Sequence, residues 1–149
     1  MERSKEIQKV LDLVSGVTDI VLQKPSAMRN QTGETQKVLY TPSSQYYYCE
    51  LFSVYLRIGT IGFIDNNMYT GFGVAHIIVR NEYQGQGIFS EFLNKLSGLA
   101  VEKGLEIVQV ECVHNPLLAK WLKKNRFTTK DENDPFDKTF YRPVRQFLN

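Results

Sequence analysis

The sequence GVAHIIVRNEYQGQGIFSEF, residues 73–92, joins an apolar strand pattern to a helical pattern through a glycine-containing loop. The strand pattern ends at Val79, the loop carries Gly85 and Gly87, and apolar residues with helical spacing begin at Ile88. In such a unit, free backbone N–H groups and the positive end of the helix dipole point at the same place. Glycine in the loop allows an anion to approach the backbone closely. The stretch therefore predicts a phosphate- or pyrophosphate-binding site.

The composition is that of one globular domain spanning residues 1–149, with 42% hydrophobic and 23% charged residues. The net charge of +2, with acids and bases interleaved, argues against nucleic acid as a partner. No apolar run is long enough to span a membrane, and the charged N-terminus lacks a signal-peptide core, so we expect a cytoplasmic protein. Cys49 and Cys112 lie in apolar strand patterns and predict buried free thiols, without the spacing of a metal site.

Upstream of the glycine loop, periodicity predicts a helix and an antiparallel meander of strands. The turns between the meander strands are expected at 57–59 and at 65–67, where Asp and Asn tolerate a positive φ. The expected elements, in order, are a helix over 4–15 that stops at Gly16, a strand over 17–22, a polar loop over 23–36, and strands over 45–56, 61–64 and 69–79.

Downstream of the loop, the pattern predicts a βαβ unit followed by a closing pair of strands. A helix end near Asn125 is expected because asparagine can take the left-handed conformation that ends a helix. The expected elements are a helix from Ile88 to about Gly104, a strand over 105–113, a helix from Pro116 to about Asn125, and strands over 127–130 and 139–144.

The segment from Val79 to Phe127 resembles the GNAT superfamily of acyl-CoA-dependent N-acyltransferases. Gln84 stands at the head of the family's loop signature and Gly87 at its first glycine, and Asn115, twelve residues before Phe127, resembles the second signature. The resemblance covers about two-thirds of the chain, whereas residues 1–40 form an atypical N-terminal part, loosely similar to phage-encoded members. It implies a single-domain GNAT-like fold of the α/β (α+β) class, with a mixed, mostly antiparallel central sheet flanked by helices.

The resemblance implies that acetyl-CoA is the co-substrate. The N–H of Val79, after Ile78 at the end of its strand, would bind the thioester carbonyl. Asn115 would bind the pantetheine arm, cap its helix, or do both. Four cationic residues could meet the 3′-phosphate, although lysines on a helix more often form a solvated surface: Arg80, Lys120, Lys123 and Lys124. The pyrophosphate would be held by the backbone of the loop and of the first helical turn: Gln84, Gly85, Gln86, Gly87, Ile88, Phe89 and Ser90.

A general base is expected because an amine nucleophile, with a pKa of about 10.4 for a lysine, must lose a proton. Glu111 is the first candidate, since alternation places it with Gln109 on the polar side of its strand; it could also be a structural carboxylate. His76 alternates in phase with apolar neighbours, which favours a buried core histidine over a base unless a bulge reverses the register. His114, after the strand, could be a base, a substrate contact or neither.

Three positions depart from the family pattern. Phe89 stands where a small residue is expected beside the pantetheine, and Arg126 replaces a glycine. Leu122 stands where many members carry a tyrosine that protonates the departing thiolate, so Tyr141 becomes the candidate general acid.

Three functions therefore remain open, the third as a weaker alternative. The first is an N-acetyltransferase that transfers the acetyl group of acetyl-CoA to a primary amine of a small molecule or protein, by direct attack in a ternary complex. The second, motivated by Phe89 and Leu122, is a catalytically degenerate acyl-CoA-binding or scaffolding protein. Eight tyrosines and the mild basicity also leave a nucleic-acid binder as a weaker alternative, and either a monomer or a homodimer is compatible with the sequence.

Overall fold

The computed structural model describes residues 2–29, 38–64, 67–129 and 138–144. Within these ranges the chain forms three α-helices, one short 3₁₀ helix and eight strands, and none of the helices is both long and apolar enough to cross a membrane. In chain order the elements are α1 (Arg3–Leu22), β1 (Pro25–Arg29), β2 (Val38–Tyr40), β3 (Ser43–Tyr48), β4 (Phe52–Ile64), β5 (Asn67–Val79), the 3₁₀ helix (Asn81–Tyr83), α2 (Ile88–Glu102), β6 (Ile107–Val113), α3 (Pro116–Lys124), β7 (Thr128–Thr129) and β8 (Lys138–Pro143).

Six strands form one sheet in the order β3-β4-β5-β6-β8-β7, and β1 and β2 form a separate hairpin. The neighbours β5 and β6, joined through α2, are parallel, and the other neighbouring pairs of the sheet are antiparallel. The predicted mixed, mostly antiparallel sheet is confirmed, as are the meander and the βαβ unit. The elements that follow the glycine loop start and end within about two residues of their predicted bounds. Lys130, the predicted end of one strand, lies outside the described residues.

The predictions of a helix stop at Gly16 and of a strand over 17–22 are wrong, because α1 continues to Leu22. Val14, Thr18 and Val21 continue the buried stripe of the helix at helical spacing. A glycine inside a helix costs about 1 kcal/mol relative to alanine, and burial of the last helical turns outweighs this. Gly16 itself is exposed, so its missing side chain leaves no gap in the core.

The predicted loop over 23–36 contains a strand, since Pro25–Arg29 pairs with Val38–Tyr40. The polar composition of this segment pointed to a loop, but pairing with a partner segment further along the chain supplies the hydrogen bonds of a strand. The part of the predicted loop over 30–36 lies outside the described residues.

The first turn of the meander is also displaced from its predicted place. The predicted strand over 45–56 divides at residues 49–51, where the Cys49 N–H donates to the Phe52 carbonyl at 3.0 Å. The predicted turn at 57–59 lies inside β4, where a Cβ on Gly59 would come within 2.9 Å of Pro42 Cα. Gly59 therefore leaves room for the backbone around Pro42, between β2 and β3, and does not form a turn. The second predicted turn, at 65–67, falls mostly on residues 65–66, which lie outside the described ranges; on either side of them Ile64 of β4 pairs with Asn67 of β5.

The core lies between one face of the sheet and the helices α1 and α2. Ile7 and Val14 from α1 and Phe92 and Leu96 from α2 belong to one buried cluster with Val108 of β6. Burial of such side chains contributes about 1.5–3 kcal/mol each. The atypical N-terminal helix is therefore an integral part of the core.

A buried carboxylate ties α1 to the turn between β3 and β4. Glu6 Oε1 accepts a hydrogen bond from the Glu50 N–H at 2.9 Å, and the carboxylate pairs with Lys9 of the same helix. The hydrogen bond from Lys9, and then that from Glu50, holds the pKa of Glu6 below its ordinary value of 4.5. The helix is thus anchored through a carboxylate that is ionised at neutral pH.

Arg142 of β8 links the two helices that follow β5. It is buried, and its Nη2 donates to Ser97 Oγ of α2 at 2.8 Å while Nη1 donates to the Asn125 carbonyl at the end of α3 at 3.0 Å. Its Cζ lies 4.5 Å from the centre of the Phe127 ring. Burial lowers the pKa of Arg142, and the nearby Arg126 adds to this. These contacts set the positions of α2 and α3 relative to the sheet.

Both of these helices end in a turn that requires a left-handed residue. After α2 this residue is Gly104, with φ +73°, as predicted. After α3, the Phe127 N–H donates to the Leu122 carbonyl at 2.9 Å, and the left-handed residue is Arg126, with φ +70°. The prediction that Asn125 takes this conformation is wrong, because the turn places the positive φ one residue later.

Candidate active site

Two adjacent β-bulges open the sheet between β5 and β6. The parallel ladder begins with Gly71 opposite Ile107 and ends with Val74 opposite Val110. Directly afterwards, the register of β5 against β4 shifts by one residue at Ala75, and the register of β6 against β8 shifts between Val110 and Val113. A bulge bends its strand and ends the regular pairing. The two central strands therefore separate beyond their last pair and leave an opening in the sheet.

The bulges also reverse the alternation of side chains, which corrects two predictions. His76 is exposed, so the prediction of a buried core histidine is wrong, and Ile77 and Val79 pack against the core in its place. Cys112 is exposed as well, with φ +53°, so it is not the buried thiol that was predicted; Cys49 is partly exposed. One extra residue in a period of two moves every later side chain to the other face.

A cavity of about 200 Å³ lies in this opening. It contains three of the four predicted catalytic residues, Glu111, His76 and His114, which come from separate elements. Tyr141 is not among its lining residues and lies on β8 opposite Gln109. The full lining consists of Val74, Ala75, His76, Ile77, Phe89, Val110, Glu111, Cys112, Val113, His114, Asn115 and Leu118.

Glu111 of β6 is held in the opening by an ion pair that reaches across β5 to β4. Its Oε1 and Oε2 lie 3.3 and 3.2 Å from Nε of Arg57 on β4. The Glu111 side chain is 17% exposed and that of Arg57 is 42% exposed. Sequence reasoning missed Arg57, since it lies in the segment taken for a turn and 54 residues from Glu111. A carboxylate in a cavity, with defined orientation, is suited to accept a proton.

The backbone of β5 directs one N–H group toward the opening. The Arg80 N–H donates to the Leu51 carbonyl at 2.9 Å, so residue 80 faces β4. Because backbone groups alternate along a strand, the Val79 N–H and carbonyl face the side of β6, beyond the last β5–β6 pair. Gln84 Nε2 donates to that Val79 carbonyl at 3.0 Å. Val79 thus presents its N–H where the two strands separate, and the neighbouring Ile78 side chain is 55% exposed.

The glycine loop leaves several backbone donors at the start of α2. Gly85 and Gly87 have φ of +78° and +75°, which favours glycine. The Glu91 N–H makes the first hydrogen bond of the helix, to the Gly87 carbonyl at 3.0 Å. The N–H groups of the three residues before it, 88–90, therefore have no acceptor within the helix. Ile88 is buried at 2% exposure, so only its backbone can take part in binding.

Arg3 of α1 contacts this loop, which the sequence did not signal because the two are 83 residues apart. Its Nη1 donates to the Gln86 carbonyl at 2.7 Å, and its Nε lies 2.9 Å from Glu91 Oε1. A trans peptide directs its carbonyl and its N–H to opposite sides. Arg3 therefore orients the Gly87 N–H away from α1, and it also neutralises a carboxylate next to the helix N-terminus.

On the other side of the opening, α3 begins with Asn115. Its Oδ1 accepts a hydrogen bond from the Leu117 N–H at 2.9 Å, so the predicted helix cap is observed, and the residue also lines the cavity. Leu118 is the next α3 residue in the lining, whereas Leu122 is completely buried in the core. A tyrosine in place of Leu122 would therefore meet the core rather than the cavity.

The four cationic candidates for the 3′-phosphate site do not lie together. Lys120 and Lys123 line a second cavity, of about 430 Å³, together with Lys138, His114 and Asn115. Lys124 is not among the lining residues of that cavity. Arg80 Nη1 lies 3.6 Å from Glu50 Oε2, on the side of the β3–β4 turn. In residues 2–29, 38–64, 67–129 and 138–144, no three His, Cys, Asp or Glu side chains come together as metal ligands.

Comparison with solved structures identifies the architecture. A crystal structure from Agrobacterium tumefaciens, of a protein provisionally assigned as an acetyltransferase, superimposes with a TM-score of 0.50 at 12% identity, over 69% of this chain and 74% of that one. The chain has the GNAT fold. The GNAT domain of PAT from S. lividans matches with a TM-score of 0.46 at 19% identity, over 62% of this chain and 53% of that one.

The chain is also similar to a point mutant of the AtaT toxin bound to the C-terminus of the antitoxin AtaR and to acetyl-CoA, with a TM-score of 0.47 at 14% identity. The match covers 65% of this chain, which spans 61% of the length of the AtaT chain. Comparison of the sequence with protein-family models returns no match, and comparison with curated proteins returns none either. The resemblance predicted from residues 79–127 is confirmed at the level of the fold.

Proposed function

We propose that this protein is an N-acetyltransferase that transfers the acetyl group of acetyl-CoA to a primary amine by direct attack in a ternary complex. The observation that carries the proposal is the opening between β5 and β6. The Val79 N–H faces this opening beyond the last β5–β6 pair, and Glu111 lines the cavity in the opening, although Val79 itself is not among the lining residues. A hydrogen-bond donor and a proton acceptor at one opening are what acyl transfer to an amine requires.

Acetyl-CoA would bind the glycine loop mainly through hydrogen bonds from backbone N–H groups. The N–H groups from Gly85 to Ser90 hold the pyrophosphate, supported by the helix dipole, whereas the Gln84 N–H already donates to the Asn81 carbonyl at 3.3 Å. A Cβ at Gly87 would strain this backbone. Asn115 uses Oδ1 to cap α3, which leaves Nδ2 as the donor for a pantetheine carbonyl. The cationic residues Lys120 and Lys123, in the second cavity, are candidates for the 3′-phosphate.

Acetyl-CoA supplies an activated acetyl thioester. The Val79 N–H donates to the thioester carbonyl oxygen and stabilises the negative charge that develops there. Glu111 accepts the proton of the amine, directly or through a water molecule, with His76 and His114 as the alternative bases in the same cavity. Tyr141 remains the candidate acid for the thiolate and would act through water, since it does not line the cavity.

Isothermal titration with acetyl-CoA, followed by a thiol-release assay with spermidine, butylamine and a lysine-containing peptide, tests the proposal. We expect saturable binding and amine-dependent thiol release. Absence of acetyl-CoA binding would overturn the proposal. A Glu111→Gln variant should still bind acetyl-CoA and lose about 100-fold in turnover, within the usual range for a general base.

The second candidate is a catalytically degenerate acyl-CoA-binding protein, and one contact favours it. Phe89 lines the cavity, and its ring lies 6.0 Å from that of Trp121, so the two aromatic rings meet between α2 and α3. This bulk narrows the cavity in which the thioester and the end of the pantetheine arm would lie. Tight acetyl-CoA binding with thiol release at the background rate for every amine would support this second function over the first.

A further inference from the structure

The surroundings of Glu111 contain two residues that hold its carboxylate in the cavity. We propose that Arg57 and Gly73 form a positioning device for Glu111, an inference that rests on the proposed function and assigns the device to the proton-transfer step. Arg57 is a positioning residue here, because it acts through Glu111 and does not line the cavity. Neither residue belongs to the glycine loop or to the segment around Asn115.

The sheet register brings the three residues together. Arg57 of β4 pairs with Gly73 of β5, and Gly73 pairs with Gln109 of β6. Side chains directly opposite each other in neighbouring strands lie on the same face. Glu111 lies two residues beyond Gln109, where β6 has begun to separate from β5. Its carboxylate leans back across Gly73 and reaches Arg57.

Gly73 is the residue that leaves room for this arrangement. A Cβ on Gly73 would lie 2.8 Å from Glu111 Oε2 and 3.0 Å from Ile61 Cδ1. Both values are shorter than ordinary van der Waals contact, so a side chain at position 73 would displace the Glu111 carboxylate and the end of the Ile61 side chain, each by some tenths of an ångström. Gly73 is buried and pairs with strands on both sides. A backbone shift that relieved these contacts would therefore disturb the pairing of β5 with both β4 and β6. The glycine is thus needed for the position of Glu111 and not for a turn.

Arg57 is itself held in place by an aromatic ring. Its Cζ lies 5.6 Å from the centre of the Tyr55 ring on the same face of β4, and the Tyr55 ring contacts Tyr46 with ring centres 4.7 Å apart. The guanidinium therefore has a defined position when its Nε meets both carboxylate oxygens. A carboxylate bound on one edge keeps its other lone pairs for an incoming proton.

The lining of the cavity brings three further titratable side chains close to Glu111: His76, Cys112 and His114. None of them takes part in the ion pair, so Arg57 is the charged partner of the Glu111 carboxylate among the contacts of the described residues. Loss of Arg57 is expected to release Glu111 to other rotamers while the acetyl-CoA site remains intact.

The test measures acetyl-CoA binding by titration and turnover by thiol release, with butylamine and with water as acceptors. We expect Arg57→Ala to lower kcat by about 30- to 100-fold, because a misplacement of about 1 Å costs up to about 100-fold. Gly73→Ala displaces the carboxylate by less and should lower kcat by about tenfold. The Kd for acetyl-CoA should change by less than about twofold. Arg57→Lys should recover part of the loss, since an ammonium can still pair with the carboxylate.

Double variants with Glu111→Gln distinguish a positioning role of Arg57 and Gly73 from general damage to the sheet. In a Glu111→Gln background, Gly73→Ala and Arg57→Ala should cause little further loss of kcat, because residues that act as one unit are not additive. Gly98→Ala is the matched control, since Gly98 is an exposed helical glycine with nothing within 4 Å of an added Cβ. It should keep kcat and Kd, and thermal unfolding should show that every variant is folded.

Three results would contradict the inference, in whole or in part. If the wild type binds acetyl-CoA and releases thiol, but Arg57→Ala does so equally or loses as much in the Glu111→Gln background, the positioning device is wrong and the proposed function stands. If the wild type binds no acetyl-CoA, or binds it and releases no thiol, the inference falls together with the proposed transfer reaction. Unchanged kcat in Gly73→Ala would contradict the steric part alone.

Discussion

Arg3, at the start of α1, donates a 2.7 Å hydrogen bond to the carbonyl of Gln86 in the glycine loop. The contact couples the N-terminal helix, which lies outside the segment that resembles known acyltransferases, to the loop proposed to bind pyrophosphate. The same side chain pairs with Glu91 in the first turn of α2. A negative charge there would repel a phosphate, so its neutralisation by Arg3 favours anion binding.

Arg3→Ala should therefore weaken acetyl-CoA binding by about tenfold, since a charge-assisted hydrogen bond contributes about 1.5 kcal/mol. Titration calorimetry measures the change. Lys5→Ala is the control, because Lys5 lies in the same helix, is 78% exposed and pairs only locally with Glu2 among the described contacts. Equal affinities for the two variants would contradict a role of α1 in the cofactor site.

Gly87→Ala should reduce acetyl-CoA affinity more than tenfold. Gly87 has φ +75°, and an alanine there costs about 1–2 kcal/mol or shifts the loop, which moves the backbone N–H groups. Surface plasmon resonance or titration with acetyl-CoA and with ADP reports the loss. Because both ligands carry the pyrophosphate, both should weaken alike; a loss for acetyl-CoA alone would place the effect at the thioester instead.

Phe89→Ala should improve binding of butyryl-CoA relative to acetyl-CoA by roughly tenfold, since two additional buried methylene groups contribute about 0.8 kcal/mol each. The phenylalanine ring lines the cavity of about 200 Å³, and its removal makes room for a longer acyl chain. Competition titrations measure the ratio of the two affinities. Phe63→Ala, which removes a ring that is 53% exposed at the end of β4, should leave the ratio unchanged.

Arg126→Gly should raise the free energy of unfolding by about 1 kcal/mol. Arg126 has φ +70° in the turn after α3, where an L-residue is disfavoured by roughly that amount and glycine is not. The substitution also removes a positive charge near the buried Arg142. Urea unfolding followed by circular dichroism measures the change, and a destabilised variant would show that the arginine side chain contributes more than its backbone costs.

Glu6→Gln should lower stability at pH 7 and flatten its dependence on acidic pH. Hydrogen bonds from Lys9 and from the Glu50 N–H depress the folded-state pKa of Glu6 below 4.5. A depressed pKa contributes stability above the unfolded value, and this contribution is lost as the pH falls from about 4.5 through the folded-state pKa. Thermal unfolding between pH 7 and pH 3 tests this, with the exposed Glu2→Gln as the control.

The local signals in the sequence were reliable where a few neighbouring residues decide the conformation. The glycine loop before α2, the cap made by Asn115 and the helix end at Gly104 each depend on residues within one turn. The parallel β5–β6 pair followed from the length of the helical segment between the strands. The prediction that α1 ends at Gly16 was wrong, because burial of Thr18 and Val21 outweighs the cost of a glycine inside the helix.

By itself, the sequence determined the order of elements from the meander onward, the glycine loop before α2 and the position of Glu111 on its strand. Only the tertiary structure decided which side chains meet in the opening, because a single extra residue in β5 turns His76 from the core to the surface. It also decided that Arg57 and Arg3 reach partners 54 and 83 residues away. Contacts of this kind depend on strand register and helix packing, and these are set by the whole core rather than by any local pattern.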